Sequence, residues 1–236
     1  MKLHTFSEPL VTGEIIRRYQ RFFIDIRLTD GEVITAHCVN TGSMASVYEP
    51  GRLAAVVPAP NPDRKLKWTL EAIHTGSVWV GVNTHRTNAL AGTLIQSGPI
   101  SETSGYTTFR PEVKAGSHHR MDWLATAANH PDLWIEVKNA TLGDSDGRCS
   151  FPDAVTERGR QHLEVLMSLV QMGNKALMFY LVNRPDARVF SPADSVDPAY
   201  GSALRQAVRA GVQPVAARVA FSPAGYTFET TIPVDL

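Results

Sequence analysis

The sequence predicts an α+β protein in two parts, an OB-like β-barrel over residues 1–82 and an α/β domain over residues 83–236. Three observations carry this. Short β-branched and aromatic runs separated by turn signals fill the first part. Near Asn83 the pattern switches to segments of helical period interleaved with apolar strands. A chain of 236 residues is also comfortable for two small domains.

In the first part, EIIRRYQRFFIDIRL reads as one long strand, Asp30-Gly31 as a hairpin turn and EVITAHCV as the returning strand. Asn40–Met44 (NTGSM) is polar and turn-like. RLAAVVPAP is a short strand stopped by prolines, and KWTLEAIHTGSVWVGV gives two more around Thr75-Gly76. Five strands in about 80 residues suit a small closed barrel such as an OB-fold. Strand alternation predicts that Phe22 or Phe23 is buried in its core, with His37 and His74 as barrel residues.

In the second part, THRTNALAGTLIQSG reads as a helix stopped at Gly98-Pro99. Strands are predicted over 119–127 and 133–142, with Asn129-His130-Pro131-Asp132 as the turn between them. GDSDGRCSFPD reads as a polar loop. A helix follows from Val155 to Met172, with Leu163, Leu166, Met167 and Val170 on one face. KALMFYLV is a buried strand, DPAYGSALRQAVRAG a second helix ending at Gly211, and the tail supplies closing strands.

Composition narrows the function. Hydrophobic residues at 43% support a core. No apolar run approaches the ~20 residues that span a bilayer, and MKLHTFSEPLV lacks the apolar centre of a signal peptide. Cys38 and Cys149 are far apart and have no CxxC partner, which argues against a disulfide scaffold or a structural zinc site. A cytoplasmic setting is expected, with no membrane partner. The net charge of zero means that any phosphate-binding surface must be local.

The chemistry-bearing residues lie on the two strands. Within Ile135-Glu136-Val137-Lys138, alternation puts Glu136 and Lys138 on one face and the apolar pair on the other. Asp122 comes from the preceding strand; if the two pair, two carboxylates converge beside one ammonium. Phosphodiester hydrolysis needs that combination: oxygen ligands for Mg²⁺ or Mn²⁺, and a cation to orient water or offset charge on the phosphate. An exposed strand with a surface ion pair gives the same Glu-x-Lys pattern, so flanking sequence matters. FPDAVTERGRQHLEVL puts Arg158, Arg160 and His162 in the first turns of the long helix, placed to contact phosphate. In the barrel, Arg17, Arg18 and Arg21 are interleaved with Tyr19, Phe22 and Phe23, a pattern that suits single-strand binding. His118 and His119 are adjacent, so on a strand they point to opposite faces.

RMDW, IEVKNATL, FPDAVTERGRQHL, and RRYQRFFIDIRLTDG with TAHCVNTGSM resemble the sugar fermentation stimulation protein family across essentially the whole chain. The resemblance implies an OB-fold followed by an α/β domain of the PD-(D/E)xK nuclease type. It also implies non-specific DNA binding and a regulatory link to sugar (maltose) metabolism, the alternative to an active enzyme. The nuclease motif maps onto Asp122, Glu136 and Lys138, with the Val137 carbonyl expected as a third protein ligand and Glu112 in RPEVKAG as a further acid. Trp123 stands where the family pattern has phenylalanine. Nucleic acid, specifically DNA, is the expected partner.

Overall fold

The computed structural model describes every residue except Pro9, Pro60, Pro62, Ser117 and His118; the expectation for His118 falls outside the described residues. The barrel comprises five strands. β1 (Lys2–Thr5) precedes it, and β2 (Val11–Tyr19), β3 (Phe23–Leu28), β4 (Val33–His37), β5 (Leu53–Pro58) and β6 (Trp68–His74) form it. β2, β3 and β4 are an antiparallel meander, β5 pairs with both β2 and β6, and a parallel β4–β6 pairing closes the ring. Closure removes the exposed edges that an open sheet of this size would present. Ile15, Ile24, Ile26, Val56, Leu70 and Ile73 fill the interior.

The barrel is as expected, but its strands divide differently. EIIRRYQRFFIDIRL is not one strand. It breaks after Tyr19, where Gln20 and Arg21 adopt left-handed φ of 49° and 64°. No Gly, Pro, Asn or Asp marks that turn, so the sequence carries no local signal for it. The break changes which residues reach the core: Ile24 and Ile26 do, whereas Phe22 is exposed and Phe23 half-buried on the outside, so neither phenylalanine is a core residue.

β7 (Trp79–Gly81) hangs on the edge of β6, and the chain enters the second domain through a short 3₁₀ turn and α1 (Thr87–Ser97). β8 (Thr108–Ala115), β9 (His119–Thr126) and β10 (Leu133–Ala140) follow, then the short β11 (Leu142–Gly143) and β12 (Arg148–Phe151). α2 (Glu157–Gln171), β13 (Lys175–Val182), β14 (Val189–Pro192), α3 (Pro198–Arg209), β15 (Gln213–Ser222) and β16 (Gly225–Ile232) complete the chain. The main sheet runs β1-β16-β15-β13-β10-β9-β8, with parallel pairs only at β10–β13 and β13–β15. β1 belongs to this sheet by pairing with β16, so residues 2–5 lie outside the barrel although the sequence reading put them in it. The segment read as a polar loop contains β12, which with β11 and β14 makes a small second sheet.

The sheet is a middle layer. α1 covers one face, packing Leu90, Leu94 and Ile95 with Ile135, Val137, Leu177 and Phe179. α2 and α3 cover the other, packing Leu163, Leu166, Leu204 and Ala207 with Met178, Tyr180 and Val182. A strand covered on both faces must be apolar throughout, and β13 is: KALMFYLV is buried from Ala176 to Val182. α1 ends where Gly98 takes a left-handed φ of 88°. Thr156 caps α2, and Asp197 caps α3 with Pro198 behind it.

Candidate active site

β10 delivers its side chains as alternation requires. Ile135 and Val137 enter the core under α1, and Glu136 and Lys138 turn to the α2 side. Beside them β9 pairs with β10 as far as Ile135↔Trp123. One residue further the ladder stops, and the Asp122 carboxylate takes over a backbone partner: Val137 N donates to Asp122 Oδ2 at 2.7 Å. Because the N–H and C=O of a strand residue point the same way, the Val137 carbonyl faces this same gap. Asn88, in the first turn of α1, donates to Asp122 Oδ1 at 2.7 Å. Trp123 fits because Gly92 on α1 leaves room for its indole.

Glu136 is buried, and one of its oxygens is heavily used. Lys138 Nζ lies 2.5 Å from Glu136 Oε1, and His162 Nδ1 contacts the same atom. Arg158 Nε donates to His162 Nε2 at 3.4 Å, which leaves the Nδ1 proton to donate to Glu136. The second oxygen, Oε2, is buried with no partner. Burial opposes ionisation of Glu136, but His162 and Lys138 outweigh it and hold its carboxyl below the ordinary value. Asp122 is displaced the other way: burial, then the Glu136 charge, push its carboxyl up to about 6 against the weaker pull of the Val137 N–H, Asn88 and Lys138. Two carboxylates thus face one cavity with one of their oxygens orphaned and one of their charges unbalanced. Oxygen donors short of positive charge fit a hard divalent cation. Among the described residues no three Asp, Glu, His or Cys side chains gather at metal-binding spacing, so an ion here needs a backbone oxygen as well.

The raised Asp122 value sets a pH-dependent stability. A carboxyl that titrates at about 6 when folded and near 3.8 when unfolded favours the folded state fully at low pH. That advantage is lost as pH rises through 6, a change of up to ~3 kcal/mol. In metal-free protein Asp122→Asn removes the penalty but sacrifices one accepted hydrogen bond of ~1 kcal/mol. The variant is therefore expected to melt higher than wild type at ~pH 8 and to lose that advantage at ~pH 4. Thermal melts in chelator at both pH values check this, and an equal difference at both contradicts it.

The cavity, of about 560 Å³, is walled by both domains. Asn40, Thr41 and Gly42 of the barrel face Asp122, Glu136 and Lys138 across it, with Phe151–Thr156 alongside. Asp153 latches the loop: Met44 N donates to Asp153 Oδ2 at 3.2 Å, and Ser43 Oγ to the Asp153 carbonyl at 2.8 Å. Asn88 carries no sequence signal, and the role of Asp153 is not legible from its motif, since each acts through a partner far along the chain.

The other expected residues divide. Arg158 and His162 both line the cavity, His162 buried against Glu136, whereas Arg160 lies 3.4 Å from Asp197 at the start of α3. Glu112 lines the cavity at a left-handed φ of 55°, with its exposed carboxylate 3.7 Å from Arg120. Arg18 is not a free cation; its guanidinium donates to the carbonyls of Asn40 at 2.9 Å and Gly42 at 3.0 Å, holding the roof loop. Arg17 pairs with Asp25 at 2.8 Å, and Arg21 is exposed in the turn. Burial pushes the Cys38 thiol up and the Cys149 thiol up to about 12, which disqualifies both as nucleophiles at neutral pH. Among the described residues no helix is long and apolar enough to cross a membrane.

Two family models match this chain: the sugar fermentation stimulation protein RE domain over residues 85–225, and the SfsA N-terminal OB domain over residues 16–82. The chain belongs to the sugar fermentation stimulation protein family. A homologue from Geobacter sulfurreducens is 43% identical over 226 residues, covering 96% of each chain. One from Acidithiobacillus ferrooxidans is 45% identical over 215 residues, covering 91% of this chain and 93% of its own. Among solved structures, Pyrococcus furiosus SfsA in complex with Ca²⁺ superposes with a TM-score of 0.90 over 100% of both chains at 23% identity, which establishes the shared fold.

Proposed function

We propose that the chain is a divalent-cation-dependent phosphodiesterase acting on nucleic acid, specifically DNA. One observation carries this: Asp122 and Glu136 line one cavity beside Lys138, with Glu136 Oε2 unpartnered and the Asp122 carboxyl pushed up to about 6 by burial and by the Glu136 charge. Mg²⁺ or Mn²⁺ held by Asp122, Glu136 and the Val137 carbonyl would polarise a phosphoryl oxygen and acidify an attacking water.

The chain's own residues supply the rest. Asn88 and the Val137 N–H orient the Asp122 carboxylate, so it presents its oxygens without rotamer loss. His162 donates to Glu136 and keeps it ionised, and Arg158 fixes the His162 tautomer from behind. Lys138 stands with its ammonium over the same carboxylate, where it can neutralise charge developing on a phosphate or hold a water. The fold match to an SfsA solved with Ca²⁺, another oxygen-seeking cation, is in keeping with this ligand set.

The test is incubation of purified protein with single-stranded and duplex DNA and RNA, with Mg²⁺, Mn²⁺ or chelator. Cleavage that appears only with metal is the expected outcome. Absence of cleavage across the panel overturns the reading and leaves a binding protein on a nuclease scaffold.

A further inference from the structure

The break after Tyr19 that removes Phe22 and Phe23 from the core also builds something outside it. Register pairs set Tyr19 against Phe23 and Phe23 against His37, so three aromatic side chains cross three adjacent strands on one outer face of the barrel. The Tyr19 and Phe23 rings stack at 5.3 Å and 23°. Arg17 lies 4.9 Å over the Tyr19 ring, and Phe22, in the turn just before Phe23, is 47% exposed. The acid on this face, Asp25, is spent: Arg17 pairs with it at 2.8 Å and Thr35 donates to it at 2.7 Å. Tyr19 adds a third contact at 3.3 Å. That leaves Arg21 at one end, and at the other Arg64, whose charge acts on His37 and whose Nη2 is a buried donor without a partner. The half-buried Tyr19, Phe23 and His37 lie outside the barrel interior, which is largely aliphatic, and are flanked by cations. They suit flat apolar rings joined by phosphates.

The row also leads somewhere. His37 is 6.5 Å from His85, whose neighbour Thr84 donates to the Val39 carbonyl at 3.3 Å and lines the catalytic cavity together with Asn40. The barrel face that carries Tyr19, Phe23 and His37 thus adjoins, through His85 and Thr84, the rim of the Asp122–Glu136 cavity. The carboxylate at the base of the cavity is recessed: Glu136 is 3% exposed, and about 560 Å³ is room for a nucleotide or two, which favours a strand that can bend into it. A duplex also keeps its bases turned toward each other, so it has no ring faces to offer Tyr19 and Phe23 except at its ends.

We infer that the substrate is single-stranded: the strand stacks across Tyr19, Phe23 and His37 on the barrel, and its backbone passes Thr84 and Asn40 so that one phosphodiester at a time reaches Glu136. This rests on reading the cavity as a phosphodiesterase site, and the experiment separates the two claims.

Fluorescence anisotropy in chelator compares a labelled ~20-nucleotide single strand with the same sequence as a blunt duplex, a length that exceeds the site of one OB-fold. Single-strand binding at least about tenfold tighter is expected, and Tyr19→Ala with Phe23→Ala should weaken it by about fivefold to 150-fold per ring. Tyr19→Phe with Phe23→Tyr should retain it, which separates stacking from damage to the fold. Phe22→Ala, at an exposed position, should give a smaller loss with an unchanged melt. Equal affinity for duplex, or single-strand binding unchanged in the double alanine variant with its fold intact, overturns the inference. A hairpin with a single-stranded tail, incubated with Mn²⁺, should be cut in the tail. Cutting within the stem that ignores Tyr19 and Phe23 refutes the single-strand path and leaves the phosphodiesterase standing. No cutting, with aromatic-dependent single-strand binding, supports the path and refutes the phosphodiesterase.

Discussion

Glu136→Gln is expected to lower metal-dependent cleavage by on the order of a thousandfold, and Lys138→Ala by a hundredfold or more, the scale seen when a group acting on developing charge is removed. The two should part company in nucleic-acid affinity without metal. Glutamine removes a buried negative charge and releases the Lys138 ammonium, which in the wild type is held 2.5 Å from Glu136. Binding should hold or tighten, because repulsion falls and a cation is freed for phosphate. Lys138→Ala leaves Glu136 with His162 as its remaining side-chain partner and removes an attraction, so binding should weaken. Steady-state cleavage and anisotropy on the same preparations check both. If both variants change affinity in the same direction, the cavity does not receive the phosphate. If Glu136→Gln cleaves as well as wild type, the activity belongs elsewhere.

The second large effect is on stability, at the join between the domains. Glu71 on β6 is fully buried and is met by Arg86, by Asn83 Nδ2 at 2.8 Å and by Tyr226 OH at 3.0 Å, so barrel, connector and β16 share one carboxylate. Arg86 also lies 4.9 Å over the Phe6 ring, which ties in the segment after β1. Arg86→Ala leaves the fully buried Glu71 without its cation and is expected to cost about 3 kcal/mol, the lower end for breaking a buried pair, since Arg86 is itself 26% exposed. That is a large share of the ~5–15 kcal/mol that holds a typical protein folded. Adding Glu71→Gln should recover more than half of the loss, since an amide still meets Asn83 and Tyr226 without needing a cation. Urea unfolding of the single and double variants measures this. A single variant within about 1 kcal/mol of wild type would mean that the interface hydrates, and the weld is unimportant.

What the sequence disclosed follows from range. Alternation in Ile135–Lys138 announced the site because a strand's faces are fixed by its own residues. The α2 face and the helix stop at Gly98 were likewise local and legible. The turn at Gln20-Arg21 was not, since its left-handed φ values occur at residues that tolerate but do not signal them. Nor was the β1–β16 pairing, which joins residues more than two hundred positions apart. Arg18, Arg160 and His162 read as surface charges because nothing local says that their partners are the roof-loop carbonyls, Asp197 and Glu136. The site's charge-bearing triad was therefore readable, whereas the parts that Asn88 and His162 play in orienting it, and Asp153 in latching the roof loop, emerged only when the chain folded around them.

The chemistry proposed for Asp122 and Glu136 requires that the two carboxylates hold a cation. Titration of metal-free protein with Mn²⁺, followed by calorimetry or by the ion's paramagnetic signal, measures that without reference to any substrate. The prediction is one ion per chain in the wild type, with binding lost in both Asp122→Asn and Glu136→Gln while the Arg17→Ala control still binds. No binding by folded wild type, or binding undiminished in both carboxylate variants, would contradict it.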